Sequence, residues 1–166
     1  MDILNDPDMR EIVEGFVEES YSLLEEMEDL LENMEDEYTA QDMEQFGQVV
    51  DRIMGAAKSI GADEVGKYTE LLKLIGYKSS QSEDDKLIDV TVAVLFDATD
   101  LVKKMIQKIE KNDAKYMENM NTEAFSKRLH WLADKFRDIH RSSVSHDGKT
   151  EDEDKDLDAL MKEMGL

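Results

Sequence analysis

Three polar side chains of one predicted helix have the types and spacing to do chemistry together. Glu44 and Gln48 are four residues apart and Asp51 follows one turn later, so all three lie on one side of the helix. A side-chain amide can orient an attacking water molecule by positioning alone. The alternative is that Glu44 and Gln48 are ordinary solvent-exposed residues, since acidic helices commonly carry such pairs.

The helix that carries these residues is two-faced, which predicts that one side is buried and the other exposed. It begins at a capping signal, Thr39 with Asp42 three residues later, and ends before Gly61. Its apolar side consists of Phe46, Val50, Ile53, Ala57 and Ile60, and its polar side of Glu44, Gln48, Asp51, Gly55 and Ser59. A glycine inside a helix costs about 1 kcal/mol relative to alanine. Gly55 therefore indicates either a close approach to the backbone or an absence of selection against it.

The rest of the chain predicts an all-α protein, because good helix formers dominate and no segment has the alternating pattern of a strand. Apolar periodicity and capping residues predict five helices in an antiparallel bundle. They run from about Pro7 to Asp36, Thr39 to Ile60, Asp63 to Ile75, Asp84 to Lys111 and Asn121 to His140, and Gly76 is expected to end the third. The bundle should occupy residues 1–141.

The composition excludes several classes of function. The formal net charge is −21, with 41 acidic against 20 basic residues, so nucleic acid and anionic membranes are poor partners. There is no cysteine, which excludes disulfides and thiolate metal sites. The paired Glu-x-x-His motif of metal-binding bundles is absent, so no metal site is predicted in the bundle. The sequence also shows neither a signal peptide nor a long apolar run. We expect a cytoplasmic protein without a metal or cofactor of its own.

The C-terminal segment has a different character from the bundle. Residues 142–155 read as a flexible acidic linker without enough apolar residues to bury. Residues 156–166 then form a short amphipathic helix, in which Leu157, Leu160, Met161 and Met164 fall at the spacing of one face. A lone helix this short is unstable in water. The segment therefore either caps its own domain or lays its apolar face into a groove on a partner.

The second helix resembles the signature of the histidine phosphotransfer (HPt) family, which includes the first domain of CheA-type chemotaxis kinases. The family pattern is His, two residues, Lys-Gly, then five residues and Gly-Ala. Gly55 and Gly61-Ala62 match its glycine positions, and the resemblance spans about residues 8 to 110. It implies an HPt-like helical bundle whose second helix meets the active site of a response regulator.

The chain departs from this family at the residues that carry its chemistry. Asp51 stands where the family has the phosphoryl-accepting histidine, and Met54 stands where it has the lysine. An aspartate cannot form a phosphoimidazole, and His130 lacks the Lys-Gly that follows the family's histidine. The resemblance thus implies a degenerate HPt domain that keeps a docking surface at Asp51, Gly55 and Ser59 without the nucleophile.

The C-terminal residues resemble the peptide with which the chemotaxis phosphatase family CheZ binds the response regulator CheY. That peptide has an acid, a Leu-Leu pair, two variable residues, a large apolar residue, glycine and a final aromatic. This chain offers Asp158, Leu160, Met161, Met164 and Gly165 in the same order. It departs at Leu166, which replaces the aromatic.

Together the two resemblances imply a two-component or chemotaxis signalling protein that binds a CheY-like response regulator through both its tail and its HPt-like surface. With Gln48 and Glu44 as catalytic residues it would promote dephosphorylation of that regulator, as CheZ does. Any Mg²⁺ would then belong to the partner. Alternatively, the protein is a non-catalytic adaptor or sink that occupies the regulator, or a CheA-type kinase, and blocks phosphotransfer. A helical bundle unrelated to signalling is a third possibility.

Overall fold

The computed structural model describes residues 3–113, 115–142 and 148–166, and these residues form helices and no strand. The predicted all-α bundle is therefore confirmed. A 3-10 helix, Pro7–Met9, precedes six α-helices: α1 Arg10–Asp36, α2 Ala40–Ile60, α3 Asp63–Ser80, α4 Asp85–Glu110, α5 Glu123–Ser142 and α6 Gly148–Glu163. Among the described helices, none is both long enough and apolar enough to cross a membrane.

Helices α1 to α4 form a four-helix bundle. α1 packs against α2 and α4, and α3 packs against the same two helices. The connections between successive helices are short, which makes neighbouring helices antiparallel. Each helix turns an apolar face toward the centre, and the residues predicted to form the apolar side of α2 are all buried there: Phe46, Val50, Ile53, Ala57 and Ile60.

The two ends of α2 follow the predicted capping signals. Thr39 Oγ1 accepts a hydrogen bond from the Asp42 amide at 3.1 Å, which satisfies one of the free N–H groups of the first turn. At the other end Gly61 has a φ of 80°, and the Ala62 amide donates to the Ala57 carbonyl at 2.9 Å. Glycine adopts this left-handed conformation without steric cost. These caps set the length of the helix that carries the candidate site.

Gly76 does not end α3, contrary to the prediction, because the helix continues to Ser80. A methyl group added at Gly76 would lie 3.1 Å from the Met43 sulfur of α2. Glycine at this position leaves room for the Met43 side chain between α2 and α3, which is a packing use of glycine and not helix termination. A sequence pattern does not distinguish these two uses of glycine.

The last two helices lie against the four-helix bundle. α5 packs on α4, and α6 packs on both α5 and α3. The linker predicted for residues 142–155 is a second difference from expectation, because helix begins at Gly148 and covers residues 148–155. Residues 143–147 of that predicted linker lie outside the described residues. The run of acidic residues thus continues into the terminal helix.

Candidate functional site

The outer side of α2 carries a row of residues that we call the α2 strip: Gly47, Asp51, Gly55 and Ser59, spaced four residues apart. Gly55 and Ser59 are exposed, while Gly47 and Asp51 are half-buried. The Ser59 hydroxyl donates to the Ala56 carbonyl at 2.8 Å. Because Phe46, Val50 and the other apolar residues of α2 face the core, the strip faces outward, as the two-faced pattern predicted.

Asp51 is held by a residue of the neighbouring helix. Lys73 of α3 places Nζ 2.7 Å from Asp51 Oδ1, and the two side chains are 50% and 44% exposed. An ion pair with this exposure contributes about 0–1 kcal/mol to stability. The two residues lie on different helices, so their pairing depends on how α2 and α3 pack. No local spacing rule predicts it.

A shallow cleft of about 510 Å³ runs beside this ion pair between α2 and α3. Phe46, Leu72 and Gly76 contribute to its lining, together with Gln48 and Tyr77. Tyr77 is a large side chain at this cleft that is 50% exposed, so a molecule bound in the cleft would contact it. We call the α2 strip together with Gln48, Lys73 and Tyr77 the α2–α3 face.

Two glycines of the α2 strip flank Asp51, one turn before it and one turn after it. A methyl group built at Gly47 or at Gly55 would meet nothing within 4 Å. Neither glycine is therefore required for packing inside this chain, in contrast to Gly76. The space they leave beside Asp51 is open to a molecule that approaches from outside.

Adding a methyl group at these two positions is expected to stabilise the fold. Gly47→Ala and Gly55→Ala should each raise the free energy of unfolding by about 0.5–1 kcal/mol, because alanine loses less backbone entropy in a helix and meets no neighbour. Urea denaturation followed by circular dichroism measures the change. Gly61→Ala is the matched control, and it should destabilise the protein, since its φ of 80° strains any residue with a β-carbon. Destabilisation by Gly55→Ala would contradict the conclusion that a methyl group at this position meets no neighbour.

The candidate catalytic pair lies on the same side of the bundle. Glu44 and Gln48 are both exposed, and they line a polar groove between α1 and α2 together with Glu26 and Arg52. Gln48 also lines the cleft beside Asp51. The structure therefore brings the amide of Gln48 to the edge of the α2–α3 face, with the Glu44 carboxylate one turn away. Within the described residues, no group of three acidic or histidine side chains is arranged to hold a metal ion.

The histidine that the structure describes in full lies away from this face. His130 is on α5, where its Nε2 is 2.9 Å from the Leu166 carbonyl oxygen. Its partner is therefore the end of the chain and not α2 or α3. His146 lies outside the described residues.

The C-terminal helix is docked on its own bundle, which corrects the expectation that its apolar face is available. Leu157, Leu160 and Met161 are between 1% and 6% exposed, and Met164 and Leu166 pack against the core at its edge. The reason is that α5 and α3 together offer a groove for α6. A spacing pattern shows that a helix has an apolar face but does not show what covers it.

Polar contacts at the rim hold α6 in this position. Arg137 of α5 donates to Asp158 at 2.7 Å, and Lys67 of α3 lies 3.6 Å from Glu163. A hydrogen bond to Asp134, with the added charge of Asp158, raises the pKa of Arg137. These contacts run in opposite directions along the chain, because His130 meets Leu166 and Arg137 meets Asp158, so α5 and α6 are antiparallel.

Gly165 has a structural use in this arrangement. Its φ is 73°, and the Leu166 amide donates to the Met161 carbonyl at 2.8 Å. This is the geometry of a glycine that ends a helix. Gly165 therefore caps α6 within the protein, a use that the resemblance to a partner-binding peptide did not imply.

Comparison with known proteins identifies one family. The model of the Hpt domain matches residues 21–112, a range that begins within α1 and ends just after α4. The matched range contains the α2–α3 face and excludes α5 and α6. No curated protein and no solved structure matches the chain.

Proposed function

The chain belongs to the Hpt domain family, and we propose that it binds the receiver domain of a CheY-like response regulator without accepting a phosphoryl group on histidine. Hpt domains interact with response regulators and kinases in two-component systems, so a role in two-component signalling follows from the family. The choice of partner and the loss of phosphotransfer are our proposal.

The observation that carries the proposal is the identity of the residue at the centre of the α2–α3 face, which is an aspartate. Asp51 stands at the phosphoacceptor position of the family pattern, is partly exposed and pairs with Lys73. A carboxylate cannot form the phosphoimidazole on which relay through histidine depends. The domain would therefore keep the surface that meets a receiver and lack the group that takes its phosphate.

The shape of the α2–α3 face supports docking. Gly47 and Gly55 leave open space on both sides of Asp51, and the exposed ring of Tyr77 lies at the same cleft. Exposed tyrosines bring large contact area with a polar end and are enriched at interfaces. A receiver that covers this face would bury Tyr77 and bring its active site close to the backbone of α2.

The C-terminal helix is a conditional part of the proposal. Its apolar residues are buried against α3 and α5, so it can bind a regulator through Leu160, Met161 and Met164 only after it leaves the bundle. The free energy of undocking subtracts from any affinity gained by tethering. The α2–α3 face is therefore the primary binding site in our proposal, and the CheZ-like peptide is secondary.

A second candidate function is dephosphorylation of the bound regulator. The observation that favours it is the exposed amide of Gln48 at the edge of the cleft, with Glu44 one turn away. A receiver docked on this face would place its aspartyl phosphate near Gln48, which could then orient the attacking water. The Mg²⁺ required by such a reaction would be held by the receiver.

One experiment tests both candidates with a purified CheY-like receiver domain from the same organism. The receiver is phosphorylated with labelled acetyl phosphate, mixed with this protein, and followed for complex formation, transfer of label and rate of label loss. We expect a complex, no acid-labile label on this protein and, for a passive binder, unchanged loss of label from the receiver. Faster loss that disappears in Gln48→Ala would establish the phosphatase instead.

The control is Gln107→Ala, which removes an exposed glutamine from α4, outside the α2–α3 face. It should leave binding and label loss unchanged. Acid-labile phosphate on any histidine of this chain would show that it is an active phosphotransfer protein, and absence of any complex would remove the proposal.

A further inference from the structure

Lys73 is the cation closest to the phosphoacceptor position among the contacts of the α2–α3 face. Its Nζ lies 2.7 Å from Asp51 Oδ1, and both residues line the cleft between α2 and α3. The lysine of the family pattern is absent, because Met54 stands in its place. The positive charge at this site thus comes from the neighbouring helix.

The two basic residues of α2 itself are directed elsewhere. Arg52 pairs with Glu19 of α1 at 3.4 Å, toward the other side of the helix. The stem of Lys58 lies over α3, where its Cγ is 3.4 Å from the position of a methyl group on Gly66. Lys58 is two turns along α2 from Asp51.

A docking anion can replace Asp51 as the partner of Lys73. Both side chains are about half exposed, so water already competes for them and the pair contributes little to stability. A phosphoryl group carries more negative charge than a carboxylate and offers three acceptor oxygens. The lysine ammonium can move from the carboxylate to the phosphoryl group, because its side chain is flexible and it binds phosphate as a point charge.

From this placement, and resting on the proposed function, we infer that Lys73 makes the protein selective for the phosphorylated form of its response regulator. In the free protein Asp51 neutralises Lys73 and holds it over the cleft. When a phosphorylated receiver docks, the ammonium leaves the Asp51 carboxylate and binds the aspartyl phosphate. An unphosphorylated receiver offers no phosphoryl group, so Lys73 stays with Asp51 and does not increase the affinity for that form.

The roles of the two residues differ in a way that can be measured. Lys73 attracts the phosphoryl group, whereas the Asp51 carboxylate competes for the same ammonium and repels the incoming anion. Removing the charge of Lys73 should reduce the preference for the phosphorylated form. Removing the charge of Asp51 should increase that preference, because Lys73 is then free for the partner.

The test is isothermal titration of this protein with a CheY-like receiver in Mg²⁺, with and without beryllofluoride, which mimics aspartyl phosphate. The wild-type protein should bind the beryllofluoride form more tightly. Lys73→Gln should reduce this preference by about tenfold, the effect of losing one hydrogen bond to a charged group, and Lys73→Arg should retain most of it. Asp51→Asn should enlarge it.

Lys58→Gln is the matched control, since it removes an exposed lysine two turns away and should leave the preference unchanged. Melting curves of each variant confirm folding, and Lys73→Arg keeps the charge if Lys73→Gln is unstable. An equal loss of affinity for both receiver forms in Lys73→Gln would overturn the inference while leaving the proposed function in place. A wild-type protein that binds neither form would overturn the proposed function, and with it the inference.

Discussion

Leu160→Ala is expected to lower the free energy of unfolding by about 2–3 kcal/mol, because truncating a buried leucine removes apolar contacts and leaves a cavity. Leu160 is 6% exposed and its neighbours Leu157 and Met161 are 1% and 3% exposed, so α6 is part of the packed structure. The effect on melting temperature should be several degrees for a chain of this size. Urea denaturation and a thermal melt measure it, and hydrogen exchange in residues 156–166 should show α6 opening before the four-helix bundle.

The same experiment separates a docked helix from a free peptide. Asp158→Ala is the control: it breaks an ion pair with Arg137 whose side chains are 46% and 32% exposed, and it should cost less than about 1 kcal/mol. Removing residues 156–166 should lower the melting temperature markedly if α6 is docked as described. A truncated protein with an unchanged melting temperature would mean that the C-terminal segment is an independent peptide, as the resemblance to CheZ implied.

Gly55→Trp is expected to reduce receiver binding by about 100-fold or more, because an indole on the α2 strip prevents close approach of the partner to the backbone. The loss corresponds to about 2.7 kcal/mol of binding free energy, a value typical of a hot spot at an interface. The substitution should not unfold the protein, since a β-carbon at Gly55 meets nothing within 4 Å. Titration with the phosphorylated receiver measures the affinity, and circular dichroism verifies the helix content.

Gly15→Trp provides the comparison for this variant. Gly15 is also an exposed helix glycine with open space around its β-carbon position, but it lies on α1, outside the α2–α3 face. Receiver binding should be unaffected by that substitution. Equal losses in the two variants would indicate a nonspecific effect of the indole, and full binding by Gly55→Trp would place the receiver elsewhere on the bundle.

The sequence alone was sufficient to predict α2 and its two faces. Thr39 caps the helix through the Asp42 amide, Gly61 ends it in the left-handed conformation, and Phe46 and Ile53 are buried as predicted. These features depend on residues within a few turns of one another, whose preferences act before the helices meet. The exposure of Gln48 and Gly55 followed from the same periodicity.

Two expectations differ from the structure for a common reason. Gly76 was expected to end α3, and the resemblance to a partner-binding peptide implied that the apolar face of the C-terminal helix is free. In the structure Gly76 makes room for Met43 of α2, and α6 is covered by α3 and α5. Both outcomes depend on segments far apart in the chain, so no local pattern contains them.

The features of the candidate site also depend partly on local sequence and partly on tertiary packing. The sequence by itself determined that Asp51 and Gly55 share the polar side of α2, and the resemblance to the HPt pattern implies that Asp51 stands at its acceptor position. Only the tertiary structure brought Lys73 to within 2.7 Å of Asp51 and opened the cleft beside Tyr77. The physical reason is that helix periodicity sets which residues share a face, whereas the pairing of charges across two helices is set by how their apolar faces interlock.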